Sequence, residues 1–181
     1  SARRTHGLCG WLRLRRPFRL RPHRPARRRG PEGLAPAGGG IGTDTLINIE
    51  MVIGSIYDDV IRGSNRAVNE FVRGGAGNDT LYGGDSFGTD LGSNFVDYRF
   101  GAGAVTVNLA TGTATGADGN DVLSGFSGIL SGNFNDNLTG DAQGNYIDAG
   151  GGNDTIDGGA GRDALSFSNA TGSVCEFIDT G

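Results

Sequence analysis

Large apolar residues recur singly along the C-terminal half of the chain, and at one spacing. Leu138, Ile147, Ile156 and Leu165 are nine residues apart, and Asp136, Asn145, Asp154 and Asp163 keep the same step two residues ahead of them. Glycines fill the approach to the last two. Gly150 and Gly152 precede Asp154, and Gly158, Gly159 and Gly161 precede Asp163. The unit is G-G-x-G-x-D-x-U-x, where U is a large apolar residue. The stretch "GGAGNDTLY" at 74–82 satisfies it in full, with Gly75, Gly77, Asp79 and Leu81, and Val72 lies nine residues before Leu81. Glycine at this density opposes helix. The pattern predicts a short strand (x-U-x) followed by a tight glycine turn, each strand sending its one apolar side chain inward.

Self-similarity at a fixed short period is the mark of a repeat architecture. Two units make one coil that goes out and returns, and successive coils stack through parallel strand hydrogen bonds about 4.7–4.9 Å apart. Leu138 is then expected on Ile156 in one sheet and Ile147 on Leu165 in the other. Stacking also sets Asp154 over Asp136 and Asp163 over Asn145. A longer repeat encloses the short one: residues 42–63 align without a gap on 119–140, Asp44 falling on Asp121, Ile53 on Leu130, Asp59 on Asp136 and Ile61 on Leu138. Between the two copies, "AVTVNL" alternates apolar and polar residues and reads as a strand. The expected organisation is a disordered arm at 1–38, a first module at 39–92, a β spacer at 93–118, a second module at 119–174 and a frayed tail at 175–181.

Composition sharpens the problem this pattern poses. Of 181 residues 35 are glycine, and apolar residues make up only 36%. One apolar side chain per nine residues does not offset the entropy of ordering so much glycine. Charge divides the chain. Residues 1–30 hold 11 of the 16 basic residues and no acid, whereas 31–181 hold all 20 acids and five arginines. So acidic a body repels nucleic acid and attracts cations. The Arg/Pro-rich arm reads as a flank with no fold of its own, and the chain reads as a piece of a longer protein. No apolar run approaches a membrane span. Cys9 and Cys175 stand alone, and both histidines, His6 and His23, lie in the arm. The body thus lacks imidazole for catalysis or zinc.

What would complete the turns is a hard cation, taking carboxylate and carbonyl oxygens in loose geometry. That describes Ca²⁺ better than Mg²⁺, which wants a strict octahedron. Metal binding would then be folding free energy. The candidate ligands are the side chains of Asp59, Asp79, Asp136, Asn145, Asp154 and Asp163. With them come the turn glycines Gly75, Gly77, Gly150, Gly152, Gly159 and Gly161. Asp148 and Asp157 share the nine-residue spacing but directly follow the apolar residue, so they read as a solvated acidic face. A flexible linker would have no reason to hold aspartate and apolar residue in phase. A phosphate loop needs a lysine, which the chain lacks, and the EF-hand spacing is missing. There is no HExxH and no serine nucleophile motif, so no enzyme activity is expected of these residues.

The tracts "GGAGNDTLYGG" and "GGGNDTIDGGAGRDALSF" resemble the RTX (repeats-in-toxin, haemolysin-type) calcium-binding family. "VTVNLATGTATG" and "GTDTLINIEMVIGS" look like the spacer segments of its larger bacterial members. The resemblance covers roughly 40–174. It implies an all-β parallel β-roll, Ca²⁺ in the turns, extracellular localisation and export by a type I secretion machinery. The function it implies is a calcium-binding module that folds outside the cell and supports secretion and stability. The alternatives are a non-catalytic part of an RTX hydrolase, metalloprotease or epimerase, or a surface adhesin repeat. The chain departs from the family pattern at Asn145, where Asp is expected, and at Asp59 and Asp136, which lack the double glycine. It departs again between Ile61 and Val72, where the step is 11.

Overall fold

The computed structural model describes residues 38–39, 42–43, 46–64, 68–84 and 94–168. The expectations of a disordered arm and a frayed tail fall outside these residues, Gly38 excepted. Fifteen strands and no helix are found among the described residues. In chain order they are β1 (Gly38–Gly39), β2 (Gly42–Thr43), β3 (Met51–Ile53), β4 (Val60–Arg62), β5 (Glu70–Arg73), β6 (Thr80–Tyr82), β7 (Asn94–Asp97) and β8 (Val105–Asn108). There follow β9 (Thr113–Gly116), β10 (Gly119–Ser124), β11 (Gly128–Leu130), β12 (Asn137–Thr139), β13 (Tyr146–Asp148), β14 (Thr155–Asp157) and β15 (Ala164–Ser166). Most have three or four residues, because glycine turns interrupt the chain every nine.

From β3 onward the chain builds two sheets. One has the order β15-β13-β11-β7-β5-β3 and is parallel throughout; the other runs β14-β12-β8-β9-β10-β6-β4. Leu138 pairs with Ile156 and Ile147 with Leu165, as the nine-residue phase predicts. The inward residues of both sheets form one core. Val72, Val96, Ile129 and Ile147 come from the first sheet, and Ile61, Leu81, Val107, Leu123 and Leu138 from the second. β14 and β15 are the last strands of their sheets, which leaves Ile156 half-buried and Leu165 48% exposed.

The alternating segment does form a strand, with Val105 and Val107 buried and Thr106 exposed. Its surroundings were not anticipated. β9 runs antiparallel to both β8 and β10, and this meander sits inside an otherwise parallel sheet. β8 lies beside β12, while β10 has returned to lie parallel beside β6. The reversal uses Gly112, whose φ of +67° suits the turn, because a Cβ there would meet the Leu123 carbonyl oxygen at 2.5 Å.

Asp148 corrects the reading of a solvated acidic face. It is buried, accepts the Gly150 N–H at 3.3 Å and takes the Ser168 hydroxyl at 3.2 Å. Asp157 is exposed. A second buried acid, Asp97 on β7, is held by Arg73 Nη2 at 2.6 Å and Arg99 Nε at 2.9 Å, and Arg73 lies 4.2 Å above the Phe100 ring. Burial works against that charge, but the arginine hydrogen bonds outweigh it and hold the Asp97 carboxyl below its usual range.

Candidate metal centre

Each coil has two turns, so the molecule carries two edges of stacked turns. On the edge where the chain leaves the all-parallel sheet lie 54–59, 74–79, 131–136 and 149–154, together with the hairpin turn 116–121. On the other lie the described residues 63–64, 68–70, 83–84 and 94, with 125–127, 140–145 and 158–163.

In several turns the residue two positions before the inward apolar side chain reaches across to the neighbouring coil. Asp79 Oδ1 accepts the Asp59 N–H at 2.8 Å, and Asp154 Oδ1 accepts the Asp136 N–H at 2.9 Å. Asp163 Oδ1 accepts the Asn145 N–H at 2.9 Å. Asp136 Oδ1 takes the N–H of Val105, which stands where the repeat would place an acid. Asp79, Asp136, Asp154 and Asp163 therefore do not face their neighbours as bare charges: each spends one oxygen on the backbone of an adjacent coil.

The second oxygen distinguishes the turns. Asp79 Oδ2 and Asp136 Oδ2 are buried with no hydrogen-bond partner. In the first turn Ser55 stands where glycine would be, and Asp59 Oδ2 accepts both its N–H at 2.6 Å and its hydroxyl at 2.9 Å. Asn145 Oδ1 accepts the Asp141 N–H at 2.7 Å, leaving its amide nitrogen without a partner. Asp154 is half-buried, and Asp163 is exposed.

Glycines keep the mouths of these turns open. A Cβ on Gly158 would lie 2.7 Å from Asp163 Oδ2, and one on Gly54 2.7 Å from Asp59 Oδ2; the Gly74 carbonyl oxygen crowds the Gly54 position too. The space a side chain would fill is thus walled by carboxylate and carbonyl oxygens. Gly75 (φ +102°) and Gly77 (φ +127°) wind the loop, a conformation that other residues enter only under strain. Gly150, Gly152, Gly159 and Gly161 repeat these positive φ angles.

The electrostatics fit a cation. Burial lifts the Asp79 carboxyl from 3.8 to about 6; the Asp59 N–H opposes this, and the Asp121, Asp59 and Asp58 carboxylates add to it. Asp121 is also raised, mainly by burial, against the hydrogen bond from Tyr98. That same burial, with Asp121 alongside, raises the Tyr98 phenol. Among the described residues no three acid, histidine or cysteine side chains gather at one point. A ligand set here must therefore draw on backbone carbonyls, as the glycine cradle allows. Hard oxygen donors with no sulfur or nitrogen favour Ca²⁺.

Two groups of residues escaped the sequence reading. Asp121 aligns with Asp44 in the longer repeat, yet it was not counted among the ligands; it accepts the Asp79 N–H at 2.9 Å. Glu70, Asn94 and Ser127 occupy the aspartate position on the second edge, each two residues before a core residue (Val72, Val96, Ile129). Glu70 is buried, with Oε2 accepting the Ser64 N–H at 2.7 Å and Oε1 the Ser64 hydroxyl. The Glu-x-Val spacing at 70–72 was the available signal.

These features define an all-β repeat protein whose turns offer oxygen donors to a hard cation. Residues 67–86 and 130–165 match the RTX calcium-binding nonapeptide repeat, in four copies. The matched segments are RTX nonapeptide repeats, which bind Ca²⁺. No curated protein matches the chain significantly.

Proposed function

We propose that this chain is the calcium-binding β-roll of a secreted RTX protein, folding when it meets Ca²⁺ outside the cell. The observation that carries the reading is the pair of buried, unpartnered carboxylate oxygens, Asp79 Oδ2 and Asp136 Oδ2, in glycine-rich turns. A buried charge without a partner is costly, and a cation removes that cost. Calcium supplies the positive charge. Asp79, with Gly75 and Gly77, would hold it in the first tract. Asp136, Asp154, Gly150 and Gly152 would do so in the second, with Asn145, Gly159, Gly161 and Asp163 on the opposite edge. Asp59 completes the set at the first coil. The two-sheet core and the coil-on-coil register support a parallel β-roll. The modules at 39–92 and 119–174, joined by the spacer 93–118, act in this reading as one support for a larger exported protein. Type I secretion is the route proposed.

Circular dichroism during a Ca²⁺ titration of the chelated chain tests this. Millimolar Ca²⁺ should raise the β signal, and Mg²⁺ at equal concentration should do much less. A full, thermally stable β signal in chelator would overturn calcium-driven folding.

A further inference from the structure

We propose that the hairpin turn Gly116–Asp121, which lies outside both matched segments, completes a divalent-cation site with the turn 74–79. The proposal rests on the calcium reading of the repeats and extends it to a strand of opposite direction. The chain here runs Gly116-Ala117-Asp118-Gly119-Asn120-Asp121-Val122-Leu123, so Asp121 stands two residues before a core leucine. The strand entering this turn is antiparallel to the one leaving it, unlike any tandem repeat.

Three hydrogen bonds nevertheless seat it residue for residue on the earlier turn. The Gly77 N–H donates to the Asp118 carbonyl at 2.7 Å, the Asn120 N–H to Asn78 Oδ1 at 3.0 Å, and the Asp79 N–H to Asp121 Oδ1 at 2.9 Å. Gly119, at φ +142°, lies so close to Gly77 that a Cβ would stand 2.6 Å from the Gly77 carbonyl carbon. β10 then continues in parallel register, with Leu123 opposite Leu81.

An independent observation points to a ligand. Asp79 is 1% exposed and its Oδ2 has no partner. Asp121 is itself buried, and its Oδ2 accepts the Tyr98 hydroxyl at 2.7 Å, which fixes the carboxylate's orientation. A small pocket lined by Tyr98, Gly103, Val105, Gly116, Gly119 and Asp121 lies on the hairpin side of this pair. Two buried acids on stacked turns, with carbonyls alongside, form a donor set for a hard divalent cation.

The test uses the full chain, with Ca²⁺ and Tb³⁺ as probes. Calorimetry counts Ca²⁺ bound by wild type and by Asp121→Asn, which keeps an acceptor for the Asp79 N–H while removing the charge. Asp121→Asn should bind one Ca²⁺ fewer. Tyr98→Phe leaves the acids in place, and it should lower tyrosine-sensitised terbium emission because Tyr98 touches the site. An unchanged Ca²⁺ count in Asp121→Asn overturns the proposal while leaving the repeat sites standing. If Asp121→Asn does not fold, unchanged terbium emission in Tyr98→Phe overturns it instead. Wild type that binds no Ca²⁺ would remove both this site and the reading beneath it.

Discussion

Asp79→Asn should change the sign of its effect when calcium is added. The asparagine keeps an Oδ1 for the Asp59 N–H and loses the charge. Burial has moved the Asp79 carboxyl from 3.8 to about 6. At neutral pH a shift of about two units corresponds to a penalty on the order of 3 kcal/mol for keeping that carboxylate charged without a cation. The variant's unpartnered amide returns about 1–2 kcal/mol of this. In chelator at pH 7 it should therefore hold more β structure than wild type, by a net of about 1–2 kcal/mol. In saturating calcium the order should reverse, with a higher calcium midpoint, because a ligand has gone. The pH dependence follows from the same shift. A folded-state value above 3.8 means that the folded chain holds the proton more tightly than the unfolded one. The penalty is absent below about pH 4 and complete above about pH 6. Calcium-free wild type should thus lose β signal as pH rises through that window, and Asp79→Asn should lack the step. Dichroism against temperature in chelator and in calcium, at several pH values, measures all of this. A variant less folded than wild type in chelator at pH 7, or one with the same pH step, would refute the reasoning.

Gly77→Ala should lower calcium-loaded stability by about 1–3 kcal/mol or more through backbone strain alone. The new Cβ would also press on Tyr57 O at 2.7 Å and Asp58 N at 2.9 Å. Gly151→Ala is the control: its nearest neighbour is a side-chain oxygen at 3.1 Å, and its melting temperature should barely move. Asp97→Asn should cost on the order of 2 kcal/mol with or without calcium. That is less than a wholly buried pair is worth, because the Arg99 side chain is 34% exposed. Since the Asp97 carboxyl is held below 3.8, its contribution is present above that value and lost as pH falls through the folded-state pKa, opposite in sense to Asp79.

The nine-residue phase was enough to read the pairing of Leu138 with Ile156 and of Ile147 with Leu165, because a single inward residue per strand leaves one register open. The same phase located the aspartate stacks. It could not say how the second carboxylate oxygen is spent. That depends on whether residue 55 or 75 offers a hydroxyl, and on N–H directions that only a folded turn defines. The hairpin was hidden for another reason. Alternation marks Val105–Asn108 as a strand but carries no direction, so β9 falls within the spacer 93–118 and β10 opens the second module with no partner assigned to it. With β10 unplaced, Asp121 had no visible neighbour. Glu70, Asn94 and Ser127 share the aspartate position yet differ in chemistry, and periodicity of one residue type passes over them.

The meander of β8, β9 and β10 has a consequence for the order of assembly. A tandem repeat grows one coil at a time, each new turn settling on the last. Here growth from the N-terminal side halts at β6, because β8, the next strand the chain makes for that sheet, belongs beside β12. Tyr82 must wait for Ser124, and the chain between them has to double back before that bond pair can close. Such closure carries an entropic cost that stepwise stacking avoids. Until β9 and β10 fill the gap, β6 and β8 both present open edges, the kind that invite pairing with other chains. The molecule is thus two short stacks welded at a seam.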